Sequence, residues 1–164
     1  MKRIRKTQNL AGLIATTQND LTPSNVNTLN VNTILSNFLI NDGEWKTWVP
    51  TFVGFSSAPS SGVYRYKQIG KTVILAIRQI ATGTSNSSSF KISLPVPAKV
   101  ITSMSWLSSC AIQDNGVRQV TPGSMEVSSD DPTNLLVWKD LAGAGFTASG
   151  QKRIVYGEII YEAA

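Results

Sequence analysis

The sequence predicts an all-β body, an antiparallel sandwich or barrel, behind an N-terminal arm of different character. Three observations carry this. From Glu44 onward, aromatic and β-branched residues dominate, in short runs that alternate with polar ones. Clusters of turn residues interrupt those runs about every ten positions, the spacing of strands joined by hairpins. Residues 7–44 are instead rich in Asn and Thr, with Phe38 their only aromatic. The expected organisation is therefore an arm over residues 1–44 and a β-domain over residues 45–164.

Within the arm, Lys2, Arg3, Arg5 and Lys6 carry four of the five net positive charges of the chain. What remains is 11 basic against 10 acidic residues, so the basicity belongs to a tail and the rest is close to neutral. A tail of this kind suits an acidic surface or phosphates, and these four are the candidate attachment residues. The apolar stretch Leu10–Ala15 is shorter than the roughly 7–15 residues of a secretory core, and no stretch approaches the roughly 20 of a membrane span. Neither a signal peptide nor membrane insertion is expected. After Thr22-Pro23-Ser24, a turn or helix-start signal, Val31, Ile34, Leu35 and Phe38 fall on one face of a short helix. Leu29–Thr33 also alternates like a strand, and the Asn and Thr content argues against a helix stable alone. The stripe must bury against its own domain or against other copies about a symmetry axis. Val31, Ile34, Leu35 and Phe38 are thus the candidate oligomerisation residues.

The β-domain opens with Thr47-Trp48-Val49 leading into Pro50, then Thr51-Phe52-Val53. Ser56–Gly62 reads as a loop. Val63–Gln68 is a strand with Tyr64 and Tyr66 on one face, Arg65 and Lys67 on the other. After a turn at Ile69-Gly70, Lys71–Ile80 returns with Val73, Leu75 and Ile77 on one face. Ala81–Ser88 is a polar loop, and Phe90–Leu94 alternates strictly until Pro95-Val96-Pro97 ends it, because proline removes ladder donors. Asp114-Asn115-Gly116 between Ser108–Gln113 and Val117–Val120 marks a hairpin, since its turn needs positive φ. A second turn at Ser128–Pro132 separates Ser124–Val127 from Asn134–Lys139. The last strand, Arg153–Glu162, is expected in the middle of the fold, with Ile154 and Tyr156 on one face and Val155, Ile159 and Tyr161 on the other.

The residue inventory excludes much chemistry. Without histidine there is no imidazole base or ligand, and the lone Cys110 forms neither an intrachain disulfide nor a cysteine zinc cluster. Asp130-Asp131 lacks the other oxygen ligands of a calcium loop and reads as turn chemistry before Pro132. Asp114 is likewise accounted for by its turn. Gly143-Ala144-Gly145 neither follows a clear strand nor opens a helix, so it is no phosphate loop. No catalytic residue, metal site or cofactor is assigned, and an enzyme is not expected. Trp45, Trp48, Trp106 and Trp138 invite a sugar-binding reading, but large aromatics more often fill β-cores and interfaces. No ligand-binding residue is assigned from the sequence.

One stretch has a family resemblance. Trp45–Phe55 (WKTWVPTFVGF), Val63–Val73 (VYRYKQIGKTV) and Ser93-Leu94-Pro95 form a Trp/Pro/Gly entry, a Tyr-rich strand turning at Ile-Gly-Lys-Thr-Val, and a strand ending Ser-Leu-Pro. This succession, covering about a third of the chain, resembles a β-domain of bacteriophage tail-fibre, head-fibre and related virion proteins. The resemblance implies a trimeric, jelly-roll-like antiparallel β-sandwich located on the virion. Its N-terminal arm, extended or short-helical, would contact capsid or tail proteins. The short arm favours a head fibre, capsid decoration or small tail appendage that could meet a host-surface glycan. A stand-alone carbohydrate-binding module is the alternative; nucleic-acid binding through the tail is a poor third, because the body is neutral.

Overall fold

Most of the alternating runs become strands in residues 44–164, the part of the chain described by the structure, a computed structural model. The strands are β1 (Lys46–Thr47), β2 (Phe52–Val53), β3 (Phe55–Ser57), β4 (Gly62–Ile69), β5 (Thr72–Gln79), β6 (Gly83–Ser85), β7 (Lys91–Ser93), β8 (Ser105–Asp114), β9 (Val117–Arg118), β10 (Gly123–Ser128), β11 (Asn134–Trp138) and β12 (Gln151–Glu162). The described residues contain no helix, so the body is all-β, as its composition predicts.

Nine strands form one antiparallel path, β1-β4-β5-β12-β8-β10-β11-β7-β2, with β3–β6 and β9 attached at its sides. The two clearest hairpin signals place their strands as expected. β4 and β5 pair from Gly62↔Gln79 to Ile69↔Thr72. Between β8 and β9, Asn115 and Gly116 take φ of 48° and 78°, the positive values that such a tight turn requires. β12 lies centrally in the path, between β5 and β8.

The inward positions of these strands share one core. Val73, Leu75 and Ile77 of β5 join Ile92 of β7, Ile112 of β8, Met125 and Val127 of β10, and Leu135 and Val137 of β11. Strands far apart along a flat sheet could not meet this way, so the sheet curls into a half-barrel. Its two ends come close enough for the Phe52 ring in β2 to lie 5.9 Å from that of Tyr64 in β4.

The segment 46–53 crosses the open side. β1 pairs with β4 and β2 with β7, and Trp48 lies between the two. The Trp48 backbone N–H donates to Tyr64 O at 3.2 Å, while its indole Nε1 donates to Ser93 O at 3.2 Å. The indole meets Tyr64 and Tyr66 edge-on, with centroids 5.8 and 6.2 Å away. Thr51 completes the seam: its N–H donates to Ser93 Oγ at 2.9 Å, and its carbonyl accepts from Ser93 N–H at 3.0 Å.

Two expectations are corrected. The loop read at Ser56–Gly62 overlaps the end of β3 and the start of β4, and that at Ala81–Ser88 contains β6, which pairs with β3. Strands of three residues, Phe-Ser-Ser and Gly-Thr-Ser, are too short to show apolar alternation, so only their pairing makes them visible. Ile154 and Tyr156 also do not share a face. A bulge between them shifts the phase of β12 by one residue. Ile154, Ile159 and Tyr161 therefore enter the core together, and Tyr156 is turned outward, 56% exposed.

β12 is also staggered between its two neighbours. It pairs with β8 through Arg153–Gly157 and with β5 through Gly157–Glu162. Gly157 pairs on both sides, and a Cβ there would sit 2.6 Å from Met125 Cε and 2.8 Å from Cys110 Cβ, both in the packed interior.

Candidate functional site: a groove on the outer face

Two places concentrate chemically capable side chains. The first is enclosed. Lys152 of β12 is fully buried, and its ammonium donates to Ser87 O at 2.8 Å and Ser89 O at 2.7 Å. The rings of Phe55, Phe90 and Phe146 surround it, with centroids at 4.8, 5.6 and 5.6 Å. Burial pulls its pKa down to about 8, and the charge of Asp114 partly opposes that shift. Asp114 is itself buried, and accepts from Thr147 N–H at 3.0 Å and Thr147 Oγ1 at 2.9 Å, with Lys139 Nζ 3.9 Å away. It anchors the 141–150 connection as well as opening the hairpin turn. This cluster ties polar loops to the core; it is a fastening, closed to ligands.

The second place is open. Small side chains on the two strands that flank β12, Ala76 on β5 with Ser109 and Ala111 on β8, leave a hollow in the outer face above Gly157. The connection from β9 to β10 forms one wall, with Arg118 and Val120, and Val63 and Arg78 stand opposite. The groove holds about 720 Å³, within the range of small-ligand sites. Tyr156, turned outward by the bulge, is its aromatic feature. Arg118 Nη2 donates to Tyr156 Oη at 3.1 Å, and its guanidinium carbon lies 5.5 Å from the ring centroid. That contact orients the guanidinium and leaves its other N–H groups for a ligand. Arg78 lies one residue past the Gly157↔Ile77 pair, on the strand beside Tyr156. Among the described residues the ion pairs are Lys91–Asp131, Lys99–Glu162 and Lys139–Asp114; neither groove arginine takes part in one.

The sequence-assigned site residues, Lys2, Arg3, Arg5 and Lys6 with Val31, Ile34, Leu35 and Phe38, lie outside the described residues. Asp131 does act in its turn. Burial raises its pKa, but hydrogen bonds from Lys91 at 2.8 Å and Asn134 at 2.8 Å outweigh this and hold the carboxyl below its usual range. Among the described residues no group of three or more His, Cys, Asp or Glu side chains is placed to hold a metal. Cys110 is buried, which pushes its thiol up to about 12 and removes thiolate reactivity at neutral pH. Three of the four tryptophans are partly buried in the body, while Trp45 is exposed with the Arg65 guanidinium carbon 5.4 Å from its ring centroid. Trp48 closes the seam, Trp106 meets Tyr161 with centroids 6.4 Å apart, and Trp138 Nε1 donates to Glu126 at 2.9 Å. The groove residues gave no sequence signal, because a bulge and the pairing of strands distant in sequence bring them together.

Compared with known proteins, the chain matches no family model and no curated sequence.

Proposed function

We propose that this chain is a structural surface protein of a bacteriophage virion, a short head fibre, capsid decoration or tail appendage. Residues 1–44 attach it to capsid or tail proteins through Lys2, Arg3, Arg5 and Lys6. Val31, Ile34, Leu35 and Phe38 associate the arms of a homotrimer. The β-body is displayed outward for host contact. It holds and presents and is not an enzyme. One observation carries the reading: the residues of the fibre-like resemblance, Trp48, Tyr64, Tyr66 and Ser93, meet in one seam that closes the body. The resemblance thus concerns the architecture of the domain, and architecture is what a displayed module contributes.

Deleting residues 1–20 tests the proposal. The truncated protein is expected to keep the circular dichroism and thermal midpoint of the β-body and to be missing from purified particles. Normal incorporation of the truncated protein would sink it.

A further inference from the structure

We infer that the outer-face groove binds an acidic oligosaccharide, a sugar chain bearing carboxylate or sulfate groups. The inference rests on the display reading and names the ligand class that the displayed surface would take.

Charge comes first. Arg78 and Arg118 flank the groove from opposite sides, against one carboxylate in its lining, Glu158. Neither arginine is neutralised by an ion pair among the described residues. A planar guanidinium fork matches carboxylate and sulfate oxygens in pairs, and Arg118 is already oriented by the Tyr156 hydroxyl. Its cost of ordering on binding is therefore reduced.

Shape and polarity come next. Tyr156 offers an exposed aromatic surface, and Val120 at the lip is fully exposed, so the apolar face of a pyranose ring has somewhere to rest. Ser109, Gln119 and Thr121 line the same hollow and supply donors and acceptors for hydroxyl groups. The floor is made of strand residues with small side chains, a rigid base of the kind that positions a site. A volume of about 720 Å³ suits a few sugar rings and is small for a folded partner.

The full chain should be titrated by calorimetry at about 0.15 M salt, where exposed charges beyond about 8 Å are screened. The probes are tetragalacturonate, a chondroitin sulfate tetrasaccharide and neutral maltotetraose; the two acidic probes separate carboxylate from sulfate recognition. At least one acidic probe is expected to bind about tenfold or more tighter than maltotetraose. R78Q, R118Q and Y156A should each weaken it about tenfold, the scale of one charged hydrogen bond. A variant with Lys2, Arg3, Arg5 and Lys6 all replaced by Gln should bind as the parent does. Failure of both acidic probes, equal binding of maltotetraose, or loss confined to the arm variant would overturn the inference. So would equally tight binding of a single-stranded oligonucleotide of matched charge, or loss of the oligomer in R78Q. Incorporation of R78Q/R118Q into particles is measured in parallel. Normal incorporation with no saccharide binding overturns this inference and leaves the display reading standing; an absent wild-type protein overturns the display reading alone.

Discussion

Lys152→Ala is expected to lower the stability of the β-body by about 3–5 kcal/mol, enough to unfold a marginal domain. Two effects combine. The carbonyls of Ser87 and Ser89 lose their donor, and the space between Phe55, Phe90 and Phe146 loses its occupant. Lys152→Met keeps most of the volume and loses only the donors, so it should cost about 1–3 kcal/mol. Urea unfolding of the two variants checks the order; equal midpoints for parent and Lys152→Ala would refute the fastening role.

The same side chain sets a pH dependence. Its folded pKa of about 8 lies below the ordinary lysine value of 10.5, so between these values the unfolded chain binds more protons than the folded one. Stability therefore rises as pH passes upward through 8. Cys110 acts oppositely: its folded pKa of about 12 lies above its ordinary 9.0, so stability present below pH 9 is lost as pH climbs further. Burial raises Tyr64 and Tyr161 in the same sense, more strongly for Tyr161. A maximum near pH 9 follows, with a gain of about 1 kcal/mol from pH 8 to 9. In Lys152→Met that gain should vanish and the alkaline fall should remain. Thermal unfolding across this range reads both limbs, and a rise that survives in Lys152→Met would assign it to another group.

Trp48→Ala is the second large effect, about 3–5 kcal/mol, the range of large aromatics removed from packed sites. Trp48 is half-buried, but it hydrogen-bonds both Tyr64 of β4 and Ser93 of β7, residues on the two margins of the curl. Without it, β1 and β2, two residues each, have little to hold them. Amide exchange should quicken across 46–53 and 91–93 before the β4–β5 hairpin is affected. Trp48→Phe should retain the edge-on contacts and lose the indole hydrogen bond, for about 1 kcal/mol. Uniform exchange throughout Trp48→Ala would show that the seam is not a separate closing element.

How much was legible follows from the range of the forces. The β4–β5 hairpin and the Asn115-Gly116 turn could be read from residues because alternation and φ preference act over neighbours. The groove could not. Tyr156 read as sharing a face with Ile154 until the bulge separated them, and Arg118 joins it across 38 positions of chain. Lys152 carried no signal either, since a lysine beside a strand looks like solvent-facing charge until three rings close around it.

By itself the sequence determined an all-β body, most of its strands and the central place of the last one. It also determined that basic charge gathers in Lys2, Arg3, Arg5 and Lys6. These follow from composition and local periodicity. The tertiary structure decided the curl, the Trp48 seam, the buried ammonium and the outward turn of Tyr156. Each depends on which distant strands pair and in what register. A single bulged residue inverts every later side of a strand, and only its partners reveal it.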